Sequence, residues 1–114
     1  MDAAPLATFE DFLKLDLRVG QIVAVEAFPR ARNPAYKIQV DFGPALGRRW
    51  SVAQATNYDR AELIGRQVIA VINFPPKNIA GFQSECLILG VPGSDGNLSL
   101  LEPSRPAVLG GRVY

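Results

Sequence analysis

The stretch Asn73-Phe74-Pro75-Pro76-Lys77-Asn78-Ile79-Ala80-Gly81-Phe82-Gln83-Ser84-Glu85 lies between two apolar runs, Val68 to Phe74 and Cys86 to Val91. Each run is strand-length and uncharged. Pro75 and Pro76 lack a backbone N–H and fix φ, so they end the first strand without starting a helix. Gly81 permits a backbone angle closed to other residues, or a close approach by a partner. The segment reads as a polar but stiff loop. It is either a plain connection or a preorganised surface presenting Lys77, Asn78, Gln83 and Ser84.

Outward from this loop, the chain resolves into short strands. Leu17 to Phe28 reads as a long strand in which Gly20 allows a bend or bulge. In Ala35 to Phe42 the residues Tyr36, Ile38, Val40 and Phe42 alternate with Lys37, Gln39 and Asp41, giving one core face and one wet face. A third strand, about Arg48 to Ala55, sets Arg48, Trp50, Val52 and Gln54 on one face and Arg49, Ser51 and Ala53 on the other. A helix over Tyr58 to Ile64 is capped by Asn57 or Asp59 and stopped by Gly65. The fourth strand (Arg66 to Phe74) and the fifth (Cys86 to Val91) are apolar on both faces and so need cover on both sides. Asp95-Gly96 marks a hairpin turn. Leu98 to Leu101 and Val108 to Tyr114 read as further short strands around Pro103 and Pro106.

At the front, Met1 to Ala7 reads as a loose arm. Thr8 and Asp11 form an approximate capping box for a short helix with Phe9, Phe12 and Leu13 on one face. Three strands, a short helix and two more strands is the order of an oligonucleotide/oligosaccharide-binding (OB) barrel. The expected fold is all-β with short helices: a five-stranded Greek-key OB-fold barrel with an N-terminal helix and C-terminal β extensions. The 114 residues suit one domain. Residues 1–15 form the arm and helix, 16–91 the barrel and 92–114 the extension.

The chain has no histidine. That removes the usual general base, the usual metal ligand and any Ser-His or Cys-His pair. No catalytic set, metal-ligand spacing or glycine-rich phosphate loop is present, so the expectation is a non-enzyme without cofactor or metal. The lone Cys86 sits in an apolar run and reads as a buried thiol. With no disulfide possible within the chain, no apolar run long enough to span a membrane and an acidic start unlike a signal peptide, the chain reads as cytoplasmic.

The net charge is only +1, but it is uneven. Arg30, Arg32, Lys37, Arg48 and Arg49 stand against Asp41 in one segment, a local +4 that leaves −3 elsewhere. Such a segment is either a solvated face or a salt-sensitive phosphate-binding patch. The usual binding face of the barrel is strands two and three, which is expected to carry Lys37, Gln39, Arg49, Ser51 and Gln54. Tyr36 shares a face with Ile38 and Val40 and reads as core. Trp50 is open between core cover and exposed contact. Lys77, flanked by prolines and loop residues, is the strongest single contact candidate.

The motif Asn73-Phe74-Pro75-Pro76-Lys77…Gly81-Phe82-Gln83-Ser84-Glu85 resembles the Asn-x-x-Pro-(Lys/Arg)…Gly-x-x-Ser signature of the tRNA-binding domain family. That family includes the C-terminal extension of some methionyl-tRNA synthetases. Phe74-Pro75-Pro76 with Ser84-Glu85 is closer to its CsaA branch of small bacterial secretion chaperones. Asp16-Leu17-Arg18-Val19-Gly20-Gln21-Ile22, Ala31-Arg32-Asn33-Pro34-Ala35-Tyr36-Lys37 and Glu62-Leu63-Ile64-Gly65-Arg66 resemble family segments in the same order. The resemblance implies tRNA recognition by shape, with basic and amide side chains on phosphates, sugars and unpaired bases. The expected RNA-binding set is Lys37, Arg49, Ser51, Gln54, Asn73, Lys77, Asn78 and Ser84. The chaperone branch implies an apolar groove for unfolded export preproteins, lined by Ile79 and Phe82; Phe28 and Phe74 read as ordinary core. Apolar residues beyond the barrel's needs point to a symmetric homodimer through Phe9, Phe12, Leu13, Leu87, Leu89, Leu100 and Val113.

Overall fold

A computed structural model describes residues 2–114; Met1, the first residue of the expected arm, lies outside them. Thr8 opens helix α1 (Phe9–Leu13) through a full capping box with Asp11. The chain then enters β1 (Leu17–Ala27), β2 (Tyr36–Asp41) and β3 (Arg48–Ala53). Helix α2 (Arg60–Leu63) follows, with Asp59 as cap in a capping box with Glu62. Gly65 ends it at φ +86°, a left-handed angle that favours glycine. Next come β4 (Gln67–Val71), β5 (Lys77–Ile79), β6 (Phe82–Ser84), β7 (Leu87–Ile88), β8 (Gly90–Pro92) and β9 (Leu98–Leu100).

The main sheet runs β3-β2-β1-β4-β7 with antiparallel neighbours, the nearly closed barrel that the strand order predicts. Ile22, Ile38, Val40, Phe42, Leu63 and Val68 fill it. Gly20 is required by close approach: a Cβ there would run into Val40 and Phe42. The register of β1 against β2 shifts between Ile22 and Ala24, a bulge that helps the long strand turn around the core.

Three expectations need correction. The segment 75–85 is a hairpin: Lys77 pairs with Ser84 and Ile79 with Phe82, and Ala80 and Gly81 both take positive φ at the tip. That is the signature of a tight type I′ connection. The run Cys86 to Val91 is not one strand. It breaks at Leu89, so β7 pairs with β4 while β8 pairs with β9 in a separate hairpin. Residues 108–114 form no strand beyond a bridge between Arg18 and Arg112.

That C-terminal segment nevertheless folds back on its own barrel. Its backbone exchanges hydrogen bonds with Leu17 and Val19 of β1. Gln67 makes paired side-chain bonds, both 2.8 Å, to the backbone of Ala107. The tail thus covers the edge of β1 where β2 has ended.

Candidate nucleic-acid interface

The β2–β3 register decides which side chains face outward. Lys37 pairs with Val52 and Gln39 with Trp50, while Ile38 pairs with Ser51 and Val40 with Arg49. Directly opposed residues share a face. Ile38 and Val40 are fully buried. The outer face therefore carries Lys37, Gln39, Trp50 and Val52, and the parity expected for β3 is reversed. Ser51, 1% exposed, lies in the core and is removed from the RNA-facing set. Arg49 turns to the barrel rim and donates to the Ile72 carbonyl at 2.8 Å.

On the outer face an aromatic cluster surrounds one lysine. Lys37 Nζ lies 4.9 Å from the Phe28 ring centroid and 4.6 Å from that of Phe82. Phe82 meets Phe28 edge-on at 5.8 Å and Trp50 edge-on at 5.7 Å. Each cation–π contact is worth about 0.5–2 kcal/mol depending on desolvation. The cluster ties the β5–β6 hairpin onto the sheet. Phe28 is buried, as expected, but under this outer cluster rather than in the barrel core. Trp50 is half-buried and belongs to the outer face.

The signature residues turn out to be largely architectural. Asn73 accepts the Asp16 N–H at 2.8 Å and donates to the Lys14 carbonyl at 2.7 Å, pinning the end of α1 to the end of β4. Asn78 accepts the Gly81 N–H at 2.9 Å and shapes the hairpin tip. Ser84 and Glu85 latch the hairpin to the free edge of β3. The Val52 N–H donates to Ser84 Oγ at 3.2 Å and the Trp50 N–H to Glu85 Oε1 at 2.9 Å. The Glu85 N–H returns to the Trp50 carbonyl at 2.7 Å. Cys86 sits behind this latch, and burial pushes its thiol up to about 12.

Beside the latch runs a groove of about 410 Å³ lined by Val52, Gln54, Phe74, Lys77, Ile79 and Leu87, among others. Phe74 is 46% exposed and belongs to this groove, a correction to its reading as core. Lys77 and Gln54 are exposed at the rim, and no side-chain partner holds them among the described residues. Arg30 and Arg32 project from the β1–β2 loop. The fold thus brings Lys37, Gln54 and Lys77 to one side of the molecule and assigns Arg49, Ser51, Asn73 and Ser84 to internal bonds or burial.

Residues 17–112 match the tRNA binding domain family. The chain belongs to that family. A methionine–tRNA ligase of Porphyromonas gingivalis (strain ATCC 33277) is 39% identical over 115 residues, covering 97% of this chain but 16% of that enzyme. The chain therefore spans about one-sixth of such relatives. Among solved structures, the CsaA chaperone protein of Picrophilus torridus superposes with a TM-score of 0.90 at 46% identity, over 96% of this chain and 100% of that one. The chaperone CsaA of Bacillus anthracis str. Ames gives 0.88 at 47%, with the same coverage. The tRNA-binding-domain family and the OB-like barrel expected from the strand order are both present. Sequence reasoning did not anticipate the Phe28–Lys37–Phe82 stack; the apolar Phe28 and Phe82 flanking a basic strand were its only trace.

Proposed function

We propose that this chain is a non-catalytic tRNA-binding module. The observation that carries the reading is the outer β2–β3 face, where Lys37, Gln39 and Trp50 lie half-buried against the hairpin that carries Lys77, in a member of the tRNA binding domain family. Lysines meet phosphate, Gln39 and Gln54 supply hydrogen bonds, and the Trp50–Phe82 edge offers an aromatic surface to unpaired bases. Asn78 contributes only through its free amide N–H₂. A filter-binding titration with unfractionated tRNA at two salt concentrations tests this: affinity falls steeply with salt if phosphate contacts dominate. Salt-independent binding counts against it.

The groove favours a second reading, a chaperone that holds unfolded export preproteins in the manner implied by its CsaA-like neighbours. Phe74, Ile79, Val52 and Leu87 supply an apolar floor next to Lys77 and Glu85. Peptide held there binds with weak salt dependence, the opposite of tRNA.

The working unit in this reading is a homodimer. Helix α1 has five residues, none buried, and Phe9 is 67% exposed. A helix this short gains its stability from docking. Phe9, Phe12 and Leu13 present a face suited to a second copy. Leu100 is withdrawn from that interface because it is 8% exposed within its own core, and Leu87 belongs to the groove. Leu89 and Val113 are half-buried in the single chain. Sedimentation equilibrium at micromolar protein distinguishes twice the chain mass from the 12.4 kDa monomer.

A further inference from the structure

The barrel closes imperfectly, and the way it fails to close has a consequence for what enters the groove. The seam lies between β3 and β7. At one end it is zipped by Ser84 and Glu85 bonding to Val52 and Trp50. Beyond Val52 the two sides part, leaving an opening of about 630 Å³ lined by Val52, Gln54, Leu87, Ile88 and Leu98, among others. The opening continues into the groove beside the hairpin through the shared residues Val52, Gln54 and Leu87.

The backbone groups along this opening are directional. The Trp50 and Val52 N–H groups point away from β2, because they bond to the latch. By strand alternation the Gln54 N–H and the Val52 carbonyl point the same way. Neither has a partner among the described residues. On the other side, the Leu89 N–H bonds to the Ile69 carbonyl. That register turns the N–H and carbonyl of Ile88 away from β4, toward the seam. Unpaired strand-edge groups beside an apolar floor form a template for another extended backbone.

We infer that the β3–β7 seam takes an extended apolar segment of unfolded polypeptide by strand addition, pairing its backbone with Val52, Gln54 and Ile88. The inference rests on the peptide-holding reading above and specifies its mode. Backbone pairing supplies affinity that ignores sequence. Alternate guest side chains fall toward Leu87 and Phe74 or out to solvent, which favours segments with apolar residues at every second position. The edge strand of a folded protein is held in its own sheet, whereas a loose extended segment can enter the opening, so the seam favours unfolded chains.

Two peptides test this. One is a soluble octapeptide of alternating Val and Thr with Lys at each end. The other is the same peptide N-methylated at alternate amides, which keeps the side chains and removes backbone donors. Strand addition predicts that methylation weakens binding by about tenfold or more, the worth of one or two hydrogen bonds. It also predicts that amide exchange at Gln54 and Ile88 slows when the unmodified peptide is bound. Equal affinity for both peptides overturns strand addition while leaving a side-chain groove intact. No binding by either overturns the peptide reading itself. As a second variant, Gln54→Pro removes the free N–H without breaking a native hydrogen bond, and Gln54→Ala controls for the side chain. The proposal requires the folded proline variant to bind the peptide more weakly than the folded alanine variant does. Wild-type affinity in a folded Gln54→Pro protein overturns it.

Discussion

Glu85→Ala and Ser84→Ala separate the architectural account of the signature motif from an RNA-contact account. The Trp50 N–H to Glu85 Oε1 bond is 2.9 Å, has a carboxylate acceptor and is partly buried. Removing the acceptor leaves that N–H without a partner, a loss of about 1.5–3 kcal/mol. Ser84 Oγ accepts from the Val52 N–H at 3.2 Å and lies 3.4 Å from the Cys86 carbonyl, to which it donates. These are longer, neutral bonds, and their loss costs about 1 kcal/mol. Both residues grip the same edge of β3, so the double variant departs from additivity by about 0.5 kcal/mol or more. For a domain this size, a loss of about 2 kcal/mol lowers Tm by roughly 8 °C. The single Trp50 sits at the latch, so urea unfolding followed by its fluorescence reads the event directly. The folded Ser84→Ala protein retains wild-type tRNA affinity, and the folded Glu85→Ala protein retains or slightly exceeds it because a carboxylate has gone. Wild-type urea midpoints together with a large loss of tRNA affinity in Ser84→Ala would refute the reasoning.

Three further outcomes follow from the same structure. Asn73→Ala breaks the bonds to Asp16 and Lys14, costing about 1–2 kcal/mol and freeing α1, which is read as faster tryptic cleavage after Lys14 with unchanged tRNA binding. Gly20→Ala drives a methyl into Val40 and Phe42 and lowers stability by about 1–3 kcal/mol in urea; an unchanged midpoint contradicts the close packing there. Cys86 stays protonated in the native state because burial, the largest influence, raises it from 9.0 to about 12. Its contribution to stability is complete below the unfolded value and fades as pH rises from about 9 toward 12. Native protein should react slowly with Ellman's reagent at pH 8 and unfolded protein at once, and Cys86→Ala should flatten the alkaline loss of stability.

Alternation in β2 and the cap of the first helix were legible because each depends on residues close in sequence, while the cap of the second stayed open between Asn57 and Asp59. Thr8 with Asp11 and Asp59 with Glu62 close their boxes within one turn. The face assignment of β3 was not legible, because Arg49 and Ser51 look like surface residues in isolation. Only the register against β2 turns them inward, where Arg49 finds the Ile72 carbonyl and Ser51 meets Ile38. The hairpin at 77–84 was hidden by Pro75, Pro76 and polar side chains, although Ala80-Gly81 was its turn. The break between β7 and β8 depends on which partner each half finds, β4 or β9, and a continuous apolar run carries no mark of it. Asn73 shows the same limit at a site. Its two bonds reach residues 57 and 59 positions away, so sequence pattern alone made it a ligand contact rather than a clasp.

The central claim, a tRNA-binding face formed by the outer side of β2–β3 and the hairpin, is tested most directly by the salt dependence of tRNA affinity in Lys37→Ala/Lys77→Ala beside the wild type. Filter binding across a range of salt concentrations gives the slope of log affinity against log salt for each folded protein. The account predicts weaker binding and a slope shallower by about two units, one for each phosphate contact removed. Lys37→Ala also removes the cation–π contacts to Phe28 and Phe82 and lowers the urea midpoint, so the comparison is made well below the variant's midpoint. An affinity and slope equal to the wild type in that folded variant would contradict the account and place the RNA site on another face.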